Sequence, residues 1–272
     1  MAKVSDAERH KYSEKIKPYR ANIQTILKSE NVVLNIIKRG DEGAALKRMI
    51  LVEEMIAITA NYIILSGISQ SMLKLRNEEA LNEGRKSLYK AVIYLEEVVS
   101  PLLDAPFSDY EDRLAEIESV DAQKRYSIIR KVGLAIQLLE NAYGDNTKWR
   151  WAFVDLEGRF AVVAKNIMNL KTALANTDPE SPDYEPTTYH LRLMKKLLHQ
   201  AADRYREKYE LSTNRIDDFK MGINFLNSLR RIHALLGERD NAETVKKKSD
   251  IWTTKLEVDM KKQEDLAALK KI

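Results

Sequence analysis

The 272-residue chain contains no cysteine and has only 9 glycines and 6 prolines. The absence of cysteine excludes disulfide bonds, thiolate metal sites and a cysteine nucleophile, and it fits a reducing compartment. Because glycine and proline are scarce, turns should be few, and we expect few and long secondary-structure elements. Charged residues make up 32% of the chain, which suits helices with wide solvated faces.

The sequence also lacks an obvious targeting or membrane-spanning segment. Residues 1–20 are polar and have no apolar core of the kind found in signal peptides. The most apolar window, residues 55–69, is shorter than the ~20 residues needed to cross a bilayer, and it includes Asn61. We interpret this window as a buried helix of a soluble, cytoplasmic protein.

Apolar residues recur at helical spacing along most of the chain, and no stretch shows the alternation of a strand. In residues 149–174 the spacing alternates between four and three, which predicts one helix of roughly thirty residues. Residues 44–75 are apolar nearly all round, which predicts a central helix with neighbours on several sides. The predicted fold is therefore all-α, either an antiparallel multi-helix bundle or a compact helical superhelix with long helices.

Residues 177–186, which read TDPESPDYEP, hold three prolines and four acids. Such a segment cannot continue a helix, so we expect an acidic, proline-rich loop. It would separate an N-terminal helical bundle, residues 1–176, from a basic helical part, residues 187–272, unless the chain forms one continuous domain. The basic part holds 19 Lys+Arg against 13 Asp+Glu, which indicates an anionic partner. Ser212 to Asn214 either break a helix there or lie within it.

Two turns resemble each other and a known repeat. Gly40 lies five residues before Ala45, and Gly237 lies five residues before Ala242, in both cases between two predicted helices. This arrangement resembles the inter-helix turn of tetratricopeptide-type helical hairpins, in which glycine ends the first helix and alanine allows close packing of the second. The resemblance is limited to these two turns, and it implies antiparallel helix stacking and a protein-interaction scaffold.

Signatures of catalysis or metal binding are missing. None of the four histidines has a glutamate three residues before it, which a di-iron bundle requires, and no glycine-rich phosphate loop occurs. We expect no cofactor, no metal and no enzymatic activity. The candidate buried carboxylate is Glu53, whose pKa burial would raise; the alternative is a structural pair with an arginine of another helix. His233 is expected to be a core histidine bonded to a backbone group.

A basic flank is the candidate binding site. On residues 190–209 it runs beside an apolar stripe, at spacings that share one side of a helix, and a further pair of arginines follows. The predicted partner-binding residues are Arg192, Lys195, Lys196, His199, Arg206, Arg230 and Arg231.

The function that we predict is that of a non-enzymatic helical scaffold or adaptor. A protein partner would dock an acidic or amphipathic segment on the basic C-terminal helices. One alternative is a nucleic-acid-associated protein that uses the same flank, and another is an enzyme of an unfamiliar all-helical type. The sequence does not indicate an oligomeric state.

Overall fold

The computed structural model describes residues 5–40, 42–144 and 147–269, with side chains up to residue 265. Over these residues the chain forms ten α-helices and no strand, which confirms the predicted all-α class. The helices are α1 (Asp6–Lys38), α2 (Ala44–Leu73), α3 (Glu78–Val98), α4 (Glu111–Ala115), α5 (Ala122–Tyr143), α6 (Arg150–Asn166), α7 (Leu170–Ala175), α8 (Tyr184–Lys208), α9 (Ile216–Leu235) and α10 (Arg239–Leu269).

The chain divides into two compact units. The first unit comprises residues 1–101 and 106–156, and the second comprises residues 102–105 and 157–272. The division therefore falls within α6 and not at the proline-rich residues 177–186. The reason is that the second half of α6 is fastened to α8: the Ala164 carbonyl accepts a 2.8 Å hydrogen bond from His190. Prolines predict a turn, whereas a unit boundary depends on which helices pack together.

In the first unit α2 is central and contacts α1, α3 and α5. Its central position agrees with the apolar character of its sequence. Helix α1 begins at a capping box formed by Ser5 and Glu8 and continues through Pro18 without a break. Buried Ile16 and Ile23 lie on either side of Pro18, so packing holds the helix where the proline removes one backbone hydrogen bond.

Helix α2 also passes a test for a membrane span. By length and composition it is the one helix in the described part of the chain that is apolar enough to cross a bilayer. Half of its most apolar window is buried inside the protein, and the core helix of a soluble protein passes the same test.

In the second unit α8, α9 and α10 pack side by side. Helices α8 and α10 run parallel, because the pairs Lys195–Glu238, Asp203–Lys248 and Tyr209–Asp259 advance along both helices together. Helix α9, which connects them in the chain, contacts both. Aromatic side chains fill the end of this core, where Phe219 stacks on Tyr209 at 4.9 Å between ring centroids and lies 5.9 Å from Trp252.

Helix boundaries differ from the prediction at two places. The predicted loop over residues 177–186 ends earlier than expected, because α8 begins at Tyr184 and has Pro186 in its first turn, where a proline is tolerated. The predicted helix over residues 149–174 ends at Asn166, and α7 starts four residues later, because the Asn169 side chain accepts hydrogen bonds from the amides of Lys171 and Thr172. The open question at residues 212–214 is resolved as a break. A π-helical turn, Tyr209–Thr213, is followed by Asn214 in the left-handed conformation at φ 49°. Asparagine tolerates that conformation better than most residues.

Both turns that carry the repeat resemblance join consecutive helices, α1 to α2 and α9 to α10. Gly40 and Gly237 have φ values of +81° and +71°, a region that glycine reaches without steric cost. They end α1 and α9 in the manner of C-terminal glycine caps.

Candidate functional site

The apolar stripe of α8 orients the predicted basic flank. Leu191, Met194, Leu198 and Ala201 are all buried, so this side of α8 faces the core of the second unit. All of the predicted flank residues on α8 are at least partly exposed. The helical register therefore places these cations on one side of α8.

Acidic residues already engage four of the seven predicted binding residues. Lys195 donates to Glu238 at 2.6 Å, and Arg206 pairs with Glu210 at 3.0 Å. His199 lies in a cluster on α8 and α10, and Arg231 forms an ion pair with Asp104. These four side chains stabilise the second unit internally. A partner that binds them would have to displace the acidic residues of this chain with which they already pair.

The His199 cluster shows how α8 and α10 are joined. Lys248 of α10 donates to Asp203 at 2.7 Å and contacts His199 Nε2 at 3.1 Å. The Lys248 ammonium also lies 5.0 Å from the centroid of the Trp252 ring, and Arg206 lies 5.1 Å from it. Cations over the face of a buried tryptophan add to the attraction between the two helices.

The remaining three predicted residues are available. Arg192, Lys196 and Arg230 are exposed, and none forms an ion pair or a hydrogen bond with another residue that the structure describes. Arg192 and Lys196 lie one turn apart on α8, on its outer side next to the contact line with α10. They form the part of the predicted flank with uncompensated positive charge.

Sequence reasoning missed a stripe on α10. Lys247, Ile251, Thr254, Val258 and Lys261 follow one another by four and three residues, and all are exposed. The Ile251 side chain is 69% exposed and that of Val258 is 48% exposed. The signal was present in the spacing, but a helix with apolar residues on two sides does not reveal which side is buried.

The α8–α10 face consists of Arg192 and Lys196 on α8 together with the stripe Lys247 to Lys261 on α10. Both sets lie outward of the contact line that the Lys195–Glu238 and Asp203–Lys248 pairs define. By helical rise, Ile251 lies about 15 Å further along the pair than Lys196. The face therefore offers positive charge at one end and apolar side chains with lysines at the other.

The prediction that Glu53 is buried is wrong. Its side chain is 46% exposed and accepts a 2.6 Å hydrogen bond from Lys131 of α5. The neighbouring Ile50 and Ile64 are exposed as well, because the surrounding helices leave this side of α2 uncovered. An apolar neighbourhood in the sequence did not mean burial here.

The buried carboxylate of the first unit is Glu30, which is 3% exposed. Both of its oxygens accept hydrogen bonds at 2.9 Å from Lys90, and one also accepts from the Tyr94 hydroxyl. Burial, followed by the hydrogen bond to Glu30, raises the pKa of Tyr94 above its ordinary value. All three hydrogen bonds that the carboxylate accepts come from side chains of α3, so Glu30 joins α1 to α3.

His233 is buried as expected, but its partner is a side chain. Its Nδ1 hydrogen-bonds to Glu238, and Lys195 donates to the other oxygen of the same carboxylate. Burial raises the pKa of Glu238, but the hydrogen bonds from Lys195 and His233 outweigh it and hold the pKa below its ordinary value. The three residues tie α8, α9 and the start of α10 together.

Among the residues that the structure describes, no group of three or more His, Asp or Glu side chains is arranged to hold a metal ion. The fold and the α8–α10 face define an all-helical protein with a mixed basic and apolar surface on two parallel helices. The chain belongs to the TP0443 family, whose model matches residues 8–260. Neither the curated proteins nor the solved structures contain a match to this chain.

Proposed function

We propose that this protein is a helical scaffold that binds an acidic, amphipathic segment of a protein partner on the α8–α10 face. The observation that carries the proposal is the pair Arg192 and Lys196, exposed one turn apart with no acidic partner among the described residues. Carboxylates of a partner would supply the missing negative charge.

The α10 stripe supports an amphipathic partner in preference to a purely acidic one. Ile251 and Val258 lie one heptad apart and expose apolar surface toward the same side as the two cations. A helix that places apolar residues at the same heptad spacing fits such a stripe, as in helix-in-groove recognition. The lysines that flank the stripe, Lys247 and Lys261, favour acidic residues beside those apolar positions.

The test is capture of partners from the native cells by the full chain, with half of each sample treated with nuclease. The double variant Arg192→Glu, Lys196→Glu should lose a protein that the unaltered chain retains in both halves. The matched control is Lys11→Glu, Lys15→Glu, which makes the same charge change at the same spacing on α1 of the other unit, where both lysines are exposed.

A third variant, Ile251→Ser with Val258→Ser, tests the apolar half of the face and should also lose the partner. Equal retention by all variants would overturn the proposal. Loss of every partner after nuclease treatment would favour the nucleic-acid alternative, and that binding should weaken steeply as salt rises.

A further inference from the structure

The side chain of Lys165 is buried although it carries a positive charge. It lies in the last turn of α6, in the second unit, and is 6% exposed. It forms no salt bridge and no hydrogen bond with another residue in the described part of the chain. A lysine is almost never buried unless it is paired, so this side chain requires a separate explanation.

The backbone on both sides of Lys165 is held in place. His190, itself buried, donates to the carbonyl of Ala164, and the amide side chain of Asn166 donates to the carbonyl of Leu102 at 3.1 Å. These bonds fasten the end of α6 to α8 and to residues 102–105. The burial of Lys165 is therefore a property of a well-anchored helix end and not of a loose loop.

Residues 102–105, which the Asn166–Leu102 hydrogen bond joins to the end of α6, also contribute one partner of an exposed ion pair. Arg231 of α9 bonds Asp104, and their side chains are 57% and 54% exposed. The pKa of Lys165 is lowered to about 8, mainly by burial; the positive charge of Arg231 acts in the same direction, and Asp104 acts in the opposite direction. At neutral pH Lys165, Arg231 and Asp104 carry two positive charges and one negative charge, so one positive charge is uncompensated.

We infer that Lys165 and Arg231 form a binding site for a small oxyanion, namely a phosphate or carboxylate group of a small molecule. The anion supplies the counter-charge that Lys165 lacks. It enters from the solvent-exposed side, where Arg231 presents a guanidinium suited to two parallel hydrogen bonds with an oxyanion. Asp104 occupies that guanidinium when the site is empty, so it acts as an internal competitor for the ligand.

The experiment measures thermal unfolding of the full chain at pH 7 in phosphate, acetate or chloride at matched ionic strength. The probes are inorganic phosphate and acetate, and chloride corrects for the general effect of salt. A bound anion raises the melting temperature, so phosphate, acetate or both should exceed chloride. A response to phosphate alone identifies phosphate esters as the ligand class, and a response to acetate alone identifies carboxylates.

Two variants with opposite expected effects make the test decisive. Lys165→Met should abolish the excess stabilisation, and Asp104→Asn should increase it, since it frees Arg231. The matched control is Lys220→Met, which removes an exposed lysine of α9 and should leave the response unchanged. A response that persists in Lys165→Met, that is unchanged in Asp104→Asn, or that is absent from the unaltered chain would overturn the inference.

In chloride alone, Lys165→Met should melt at a higher temperature than the unaltered chain, because it replaces an unpaired buried charge with an apolar side chain of similar size. A lower melting temperature would show that Lys165 has a structural role and would count against a ligand site. The variant Arg192→Glu, Lys196→Glu should keep the full anion response. The anion site and the proposed partner binding on the α8–α10 face are therefore tested independently.

Discussion

The Tyr94 hydroxyl donates a 2.5 Å hydrogen bond to the Glu30 carboxylate and thereby joins α3 to α1. Lys90, one turn before Tyr94, donates to both oxygens of the same carboxylate. Glu30 is only 3% exposed, and its side chain accepts three hydrogen bonds from one neighbouring helix. Removing this buried charge should therefore cost free energy of folding.

Substitution of Glu30 by Gln should lower the free energy of unfolding by about 1–3 kcal/mol, because the amide carries no charge for Lys90 to pair with. The matched control is Glu53→Gln, which removes an exposed carboxylate that also pairs with a lysine. That control should change stability by less than about 0.5 kcal/mol. Denaturant unfolding measures both variants, and equal effects would contradict the role assigned to Glu30.

The lowered pKa of Lys165 makes stability depend on alkaline pH. The folded chain releases the proton at about 8 and the unfolded chain at 10.5, so between these values the unfolded state binds more protons. The free energy of unfolding should therefore rise from pH 8 toward pH 10.5, by up to about 3 kcal/mol from this group.

Lys165→Met lacks that group and serves as the reference for this measurement. Denaturant unfolding at pH 7 and pH 10 should show the unaltered chain gaining stability relative to the variant. Below pH 8 the cost of the buried charge is fully present in the unaltered chain. A difference between the two proteins that stays constant over this range would show that Lys165 is not buried as a cation.

Gly158 in α6 allows close approach of Tyr205 in α8. A Cβ atom at position 158 would lie 2.6 Å from a ring carbon of Tyr205, which is itself stacked on Phe225. Gly158→Ala should therefore lower stability by about 1–3 kcal/mol. The control is Gly67→Ala in α2, where nothing lies within 4 Å, and it should raise stability by about 0.5–1 kcal/mol. Thermal unfolding that shows the same sign for both would contradict the packing of α6 on α8.

Asn214 ends the π-helical turn in the left-handed conformation at φ 49° and ψ 21°. Asn214→Ala should lower stability by about 1–2 kcal/mol, because a Cβ without a compensating polar group is disfavoured in that region. Asn214→Gly should cost little or stabilise, since glycine reaches positive φ freely. If both variants unfolded alike, the break between α8 and α9 would not depend on that backbone conformation.

Several elements of the fold could be predicted from local sequence. Helix α5 begins after Asp121, whose side chain accepts a hydrogen bond from the amide of Lys124, and ends at Gly144 with φ +73°. Aspartate and glycine are residue types that favour these two positions. The apolar stripe of α8 was likewise assigned correctly. In each case the signal and the structure lie within one or two turns of the same helix.

Only part of the candidate site could be predicted, because local spacing reveals contacts within one helix but not contacts between helices. The pairing of Arg206 with Glu210 follows from their spacing of four, but the pairing of Lys195 with Glu238 joins residues 43 apart. Which cations stay uncompensated depends on such distant acids. From the sequence, the exposed stripe of α10 could equally have been the buried one. Only the packing of α8 and α9 on the other side of the helix shows that it is exposed.

The sequence by itself determined the all-helical class, the long elements and most helix ends, because helical periodicity and capping act between residues a few positions apart. Tertiary structure alone decided that Glu53 is exposed and Glu30 buried, that α6 divides between two units, and that Lys165 is buried with no acidic partner among the residues that the structure describes. Burial and charge compensation are set by side chains that come from other helices, and their arrangement is not encoded in any local spacing.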